Sequence, residues 1–387
     1  MDVPLMELSD IGLNLPQLPG ENSGRRADQR SYGSAPKLAM TFRVFETSVG
    51  RSLPNARQAY RDLFAGDQPE TVLPIAKVIG DANGTVKLIL TAALKSHRST
   101  GEMQPLEIES VIIPMRNYHG QCWNTLCISS QIGCRMGCDF CQTGQMGLVG
   151  QLSASQIVAQ VVVAKRWLGQ HTAGAEIKNI VFMGMGEPLD NADAVFAALR
   201  VLMEPRGLGF SASRITLSTV GRVDGLRRLA GENLPGIRLA ISLTSADDAL
   251  RSRLMPINRA MPLAELKACL KALPRSSRAR YLIQCVLLGG VNDRAEDAAR
   301  LADWCDGLPV IVNVIPYNPQ QPPLFKAPAA TAIVGFMEVL KARGILVKRR
   351  ATIGQSLMGA CGQLGNSAIA RTGSERGARP PGAAAIR

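Results

Sequence analysis

The apolar positions fall into short runs with two different spacings. "IAKVIGDANGTVKLILTA" (75–92) alternates on both sides of an Asn-Gly pair, a strong short-range signal for a β-hairpin. "LEIESVIIP" (106–114) reads as another strand, and "QAYRDLFAG" (58–66) ahead of them as a short helix. These elements predict a small α+β module. From about residue 123 the pattern changes to strand and helix in alternation. "TLCISSQIG" (125–133), "KNIVFMGMG" (178–186), "RITLSTVG" (214–221), "IRLAISLTS" (237–245), "RYLIQCVLLGG" (280–290) and "PVIVNVIPYN" (309–318) are the strand candidates. Helical spacing separates them in "SASQIVAQVVVAKRWLG" (153–169), "NADAVFAALRVLM" (191–203), "PLAELKACLKAL" (262–273), "AEDAARLADWC" (295–305) and "PAATAIVGFMEVLKARG" (328–344). Ser153 is placed to cap the first of these. Six βα units in series predict a partial (β/α)6 barrel, with a doubly wound sheet as the alternative. In a barrel the chemistry lies at the C-terminal strand ends, where Cys134, Glu187, Ser218, Thr244 and Asn318 fall.

The predicted organisation is a disordered segment over 1–38, an α+β accessory module over 39–118, a core domain over 119–365 and a disordered tail over 366–387. An alternative start lies near Met40.

Composition changes this picture in two ways. Hydrophobic residues make up 46% of the chain, enough for a large core, yet no stretch of 18 is uninterrupted and the N-terminus lacks a signal-peptide pattern. A cytosolic protein is expected, in which clustered cysteines point to metal or redox chemistry rather than to a disulfide scaffold. The formal net charge of +13 suits a polyanionic partner and equally suits a merely Arg-rich composition.

Four of the nine cysteines lie in "CISSQIGCRMGCDFC" (127–141). Cys134, Cys138 and Cys141 are spaced C-x3-C-x2-C on a Gly-rich loop, poor material for a core. A structural zinc takes four protein ligands and a ribbon would need a second C-x2-C pair, which Cys269, Cys285, Cys305 and Cys361 do not form. Three thiolates suit an iron–sulfur cube with one iron left open. Cys269, Cys285 and Cys305 sit within helix or strand patterns and read as small core residues.

The triad after a first strand, with Phe140 before its last cysteine, resembles the radical S-adenosylmethionine (SAM) superfamily, as does the "GMGEP" (184–188) that ends the next strand. The resemblance implies a [4Fe-4S] cluster on Cys134, Cys138 and Cys141, and Glu187 beside the SAM ammonium, a partner that suits a carboxylate. "TLCISSQIGCRMGCDFCQTGQMG", "GMGEPLDN", "ITLSTVG", "LAISLTSADDALRSRLMPINRAMPL", "VNVIPYNP" and "GACGQL" recur in the order found in the RlmN/Cfr family of RNA adenine methyltransferases, over roughly 105–365. That family implies two SAM molecules per turnover. One methylates Cys361. The other yields a 5′-deoxyadenosyl radical that takes a hydrogen from the new methyl group, and the resulting carbon radical adds to C2 or C8 of adenine. Glu109 accepts the ring proton. Cys127 then attacks the Cys361 sulfur, closing a transient disulfide and releasing the base. The SAM contacts carried over are Gly186, Glu187, Ser218, Ser242, Leu243, Thr244 and Asn318. The implied partners are rRNA or tRNA and an electron donor such as flavodoxin or ferredoxin, with no membrane, for a cytoplasmic monomer. A radical SAM enzyme acting on a protein or small molecule, and a zinc-stabilised RNA-binding module, are the competing readings.

The chain departs from the family in three places. Its N-terminal module is shortened or altered. "MRNYHGQCWNTLC" adds His119, Cys122 and Trp123 ahead of Cys127, with Cys122 an alternative resolving thiol. Gln355, Ser356 and Leu357 replace an acidic stretch before Cys361.

Overall fold

The computed structural model describes residues 36–49, 56–64, 73–95, 103–117, 119–274, 276–277, 279–320 and 323–365. The expectations for residues 1–35 and 366–387 lie outside the described residues. Pro36–Ala39, at the border of the predicted disordered segment, forms a single 3-10 turn.

Among the described residues ten strands form one sheet. Three antiparallel strands lead: β1 (Ile75–Gly80), β2 (Val86–Lys95) and β3 (Met103–Arg116). β4 (Cys122–Cys127) pairs antiparallel with β3 and parallel with β7 (Ile177–Phe182). The parallel series continues through β8 (Ile215–Thr219), β9 (Arg238–Ser242), β10 (Tyr281–Leu287), β11 (Val310–Pro316) and β12 (Val347–Arg349). Spatial order follows chain order from β4 onward, apart from β5 (Gln131–Cys134) and β6 (Gly147–Gln151), which form a two-stranded sheet of their own. A doubly wound sheet would reverse that order at its middle, so the alternative falls and the open, partial barrel stands. The leading hairpin extends the barrel sheet through the β3–β4 ladder rather than forming a separate sheet.

Helices cover the parallel strands: α4 (Ala154–His171), α5 (Ala192–Met203), α6 (Val223–Gly231), α8 (Leu263–Ala272), α9 (Ala295–Cys305) and α10 (Ala330–Ala342). Two helices precede the sheet, α1 (Phe42–Val49) and α2 (Ala56–Asp62). Ser153 caps α4 as expected, in a capping box with Gln156. The turn between β1 and β2 is wider than a two-residue Asn-Gly loop. Asp81 Oδ1 accepts from the Asn83 and Thr85 N–H groups, both at 2.9 Å, and Gly84 takes φ +80°. Tyr60 is fully buried, packs on Phe42, Phe45 and Phe64, and donates its hydroxyl hydrogen to Met40 O at 2.7 Å. No described helix is long and apolar enough to cross a membrane.

The strand expected over 125–133 does not exist as one element. It ends at Cys127, and a separate hairpin follows, β5 (Gln131–Cys134) with β6 (Gly147–Gln151), around the short helix α3 (Gln142–Met146). The cause is Gln160 of α4, which is fully buried. Its Oε1 accepts from Ser129 N and its Nε2 donates to Ser129 O, both at 2.8 Å, replacing the ladder bonds a continuing strand would make. Ser129 Oγ also donates to Glu109 O at 2.7 Å and accepts from Met185 N at 2.9 Å. The chain is thereby turned into the barrel mouth.

Candidate active site

The loop after β5 brings Cys134, Cys138 and half-buried Cys141 together at the barrel mouth. Cys134, Cys138 and Phe140 pack in one small apolar cluster with Met136, Leu254, Met255, Leu288 and Tyr317. Burial pushes all three thiols up, and the negative charge of a neighbouring cysteine adds to this for Cys134 and Cys138. Left alone they would stay protonated, so a cationic centre is needed to hold them as thiolates. Among the described residues no three His, Cys, Asp or Glu side chains converge as ligands of a single ion. A buried donor set of three thiols suits an iron–sulfur cluster better than a structural zinc, which takes four protein ligands.

Gly184 and Gly186 follow β7 where chains cross closely. A Cβ on Gly184 would lie 2.6 Å from Ile128 O, and one on Gly186, whose φ is +100°, would lie 2.6 Å from Gln131 Cβ. Only glycine fits at either place. Glu187 is buried, and its backbone N–H donates to Gln131 Oε1 at 2.7 Å. Its carboxylate oxygens accept from Leu189 N at 3.0 Å and Val220 N at 2.9 Å. Burial nevertheless pushes its carboxyl up to about 7, with the hydrogen bonds opposing. The same charge bears on Cys134 and Cys138, which places Glu187 beside the cysteine loop. Arg135 of that loop pairs with Asp190 at 2.9 Å.

Cys127 ends β4 with 6% exposure, between Val111 of β3 and Val181 of β7. Burial raises its thiol, as does the charge of Cys361, while Arg350, just beyond β12, lowers it. β4 and β12 are the first and last strands of the parallel series, so curvature has brought its two ends face to face. Cys361 is exposed, and its charge also raises the Cys141 thiol. Cys122, by contrast, begins β4, about 16 Å from Cys127 at strand rise. It lies at the opposite end of β4 from Cys127.

The segment carrying Cys361 is held from three sides. Asn318 Nδ2 donates to Cys361 O at 3.1 Å, and Gln363 Nε2 to Pro319 O at 2.8 Å. Gln142 N donates to Gly362 O at 2.8 Å, tying the segment to the cysteine loop, and Gln320 Nε2 donates to Phe140 O at 2.8 Å. The leading hairpin supplies the third side. Lys87 Nζ donates to Met358 O at 3.3 Å, and Glu109 Oε2 accepts from Gly365 N at 3.1 Å. Lys87 and Glu109 form an ion pair at 3.3 Å with side chains only 7% and 12% exposed. Of the altered stretch, Gln355 and Ser356 are exposed and Leu357 is buried.

The other carried-over positions lie at the strand ends. Ser218 is in β8, and Ser242 closes β9. Leu243 is fully buried with both backbone groups engaged, its N–H to Gln284 O and its carbonyl from Arg251 Nε. Thr244 has φ +60°, strained for a β-branched residue. Among the described residues Thr244 Oγ1, Gln284 Nε2 and Asn318 Oδ1 are buried without a hydrogen-bond partner. Such groups cost about 1–3 kcal/mol each when left unpaired, so they mark where a polar ligand completes the bonding. Hydroxyl and amide groups of this kind suit the amino-acid and adenosine parts of SAM. Ser242, Gln284 and Asn313 are in-register partners across β9, β10 and β11 and form one polar row.

Several contributors escaped the sequence reading: Lys87, Gln131, Gln160, Arg251, Gln284, Asn313 and Gln320. For Lys87 a signal existed, a lone charge inside "TVKLIL". For Gln131, Gln160 and Gln320 none did, because their roles depend on which distant chain they meet.

The family model of the Radical SAM superfamily matches residues 128–302. The chain is 43% identical over 257 residues to the dual-specificity RNA methyltransferase RlmN of Syntrophobacter fumaroxidans, covering 66% of this chain and 72% of that protein. It is 39% identical over 330 residues to that of Anaeromyxobacter dehalogenans, covering 82% and 87%. A crystal structure of a radical SAM methyltransferase from Sphaerobacter thermophilus superposes with a TM-score of 0.69 at 36% identity, covering 83% of this chain and 91% of that one.

Proposed function

The chain belongs to the RlmN family within the Radical SAM superfamily, and from that premise we propose that it methylates a ring carbon, C2 or C8, of adenosine in RNA. The observation that carries this reading is the shared electrostatic environment of three thiols from separate parts of the chain, Cys127, Cys141 and Cys361. A radical enzyme acting on any substrate needs the cysteine loop. An arrangement with two further thiols within each other's electrostatic reach suits a reaction in which one cysteine carries the carbon and the other releases it.

Cys134, Cys138 and Cys141 would hold the cluster, and Gly186, Glu187, Ser218, Ser242, Leu243, Thr244 and Asn318 would line the SAM site. Bound there, cluster and SAM supply a methyl electrophile and a one-electron agent strong enough to abstract hydrogen from a methyl group. Cys361, exposed on its pinned segment, accepts the methyl group as S-methylcysteine, one SAM serving for this and a second for activation. Glu109 accepts the ring proton, its carboxylate held toward the segment by Lys87 and Gly365. Cys127 attacks the Cys361 sulfur: the S–S bond forms as the sulfur–carbon bond breaks, the released carbon takes up a proton to become the methyl group of the base, and an external thiol reductant reopens the transient disulfide.

The net charge of +13 suits an rRNA or tRNA substrate. A low-potential donor of the flavodoxin or ferredoxin class supplies electrons, and the protein works as a cytoplasmic monomer. The deciding experiment is mass spectrometry of nucleosides from RNA of a deletion strain before and after treatment with the reconstituted enzyme. A new methyladenosine made by wild type and absent with Cys361→Ala is expected. SAM cleavage with no RNA product would turn the reading toward a protein or small-molecule substrate. Methylation by Cys361→Ala would sink the S-methylcysteine route.

A further inference from the structure

Helix α7 (Asp248–Leu254) packs its C-terminal end against the cysteine loop: Leu254 and Met255 join the apolar cluster of Cys134 and Cys138, and Asp139 N donates to Leu254 O at 3.0 Å. One turn earlier stands Arg251, 1% exposed. Its guanidinium donates only to neutral acceptors: Nε to Leu243 O at 3.1 Å, Nη1 to Asn258 Oδ1 at 2.6 Å, and Nη2 to Val220 O at 2.6 Å and Ser242 O at 3.4 Å. Among the described residues no carboxylate lies within ion-pair distance of it. Asp248, the nearest candidate, has its Oδ1 turned to Asn258 Nδ2 at 2.8 Å and Leu263 N at 3.1 Å.

A buried cation without a counter-charge is costly, and arginine does not escape by losing its proton at neutral pH. Burial lowers Arg251 only to about 10, and the groups whose negative charge would oppose this are Cys138 first and then Asp248. The hydrogen bonds give the guanidinium its orientation but no charge compensation. What lies beside it is the loop whose three cysteines must be thiolates to hold iron and sulfur.

We propose that Arg251 is the buried counter-ion of the iron–sulfur cluster and favours its reduced state. This rests on Cys134, Cys138 and Cys141 holding that cluster. Three thiolates leave the oxidised group net anionic. One electron from a low-potential donor makes it more so, with no proton taken up, and Arg251 stays cationic in both states. A fixed positive charge in a low-dielectric site stabilises the more negative state more. Net charge near a cluster is one of the determinants of its potential. Arg251 thus acts as a positioning and electrostatic residue, and it holds the carbonyl of Val220 while the Glu187 carboxylate holds the N–H of the same residue.

The test is the midpoint potential of the anaerobically reconstituted full-length protein, read by electron paramagnetic resonance during a dithionite titration without SAM. Arg251→Gln removes the charge and keeps a donor, while Arg251→Lys keeps the charge and loses the fork. Arg251→Gln is expected to shift to more negative potential, with at least a tenfold fall in the reduced-to-oxidised ratio at fixed potential, equivalent to ~59 mV for one electron. Arg251→Lys is expected to stay near wild type. Coincident curves for wild type and Arg251→Gln overturn the proposal, as does a Lys shift equal to the Gln shift, which would mean that bonding geometry rather than charge matters. If Arg251→Gln takes up no iron, the Lys variant decides alone: a near-wild-type potential supports the counter-ion, and a tenfold change overturns it. Wild-type protein that takes up no iron and gives no reduced-cluster signal would instead sink the cluster reading.

Discussion

Glu109 Oε2 in β3 accepts a hydrogen bond from the backbone N–H of Gly365, 256 residues later, at 3.1 Å. The other carboxylate oxygen holds Lys87 of β2 at 3.3 Å, and Lys87 reaches Met358 O across 271 residues. The leading hairpin therefore forms one wall of the site and clamps the segment that carries Cys361.

Removing Lys87 leaves a largely buried carboxylate unpaired. Lys87→Met is expected to destabilise the protein by about 3 kcal/mol in urea unfolding, and the double variant Lys87→Met/Glu109→Leu to recover part of that loss. A Lys87→Met change below about 0.5 kcal/mol would mean that the pair is solvated and does not clamp the segment.

Cys127 is buried, and the charge of Cys361 bears on it across the two ends of the parallel series. On the proposed route the carbon stays bonded to both Cys361 and the base when the Cys127 thiol is missing. Cys127→Ala is expected to accumulate a protein–RNA species that survives a denaturing gel, with methylated RNA product falling at least about a hundredfold, as when a group acting directly in the chemistry is lost. Cys122→Ala should turn over normally. A Cys127→Ala reaction with ordinary product and no adduct would remove the resolving role.

The carboxyl of Glu187 is pushed from 4.5 to about 7 by burial. A raised carboxyl pKa favours folding while the group is protonated. Its contribution is fully present below the unfolded value and is lost as pH rises through the folded one. The cluster-free protein should therefore lose about 3 kcal/mol between roughly pH 4.5 and pH 7 from this group. Glu187→Gln leaves one of two backbone N–H groups without an acceptor and is less stable at low pH, but its stability should lack that slope. Parallel pH profiles for wild type and Glu187→Gln in chemical denaturation would rule the effect out.

Gly186 and Gly169 make an opposed pair. Gly186→Ala places a Cβ 2.6 Å from Gln131 Cβ at φ +100°, whereas a Cβ on Gly169, in α4, meets nothing within 4 Å. Gly186→Ala is expected to cost at least about 2 kcal/mol and to weaken SAM binding in calorimetry. Gly169→Ala should gain about 0.5–1 kcal/mol. Equal and small effects in thermal melts would mean that the crossing at Gly186 is slack.

The sequence by itself determined the class of fold, because period-2 and period-3.6 spacings alternate from about residue 123 and each reports a local backbone geometry. It determined the cysteine loop too, since C-x3-C-x2-C is a local spacing, and the capped start of α4 at Ser153. It did not show that the strand begun at Thr125 stops at Cys127. That depends on Gln160, whose amide meets Ser129 only after α4 has packed on the sheet. β12, α6 and α7 were likewise illegible, being only three, nine and seven residues long. The functional surroundings of Cys361 belong to the tertiary structure alone. Lys87, Glu109, Asn318 and Gln320 reach that segment through hydrogen bonds between residues far apart in the chain. Curvature of the sheet, set by twist and strand tilt, brings Cys127 to Cys361. Residue periodicity says which face a side chain takes; it cannot say which distant face it will meet.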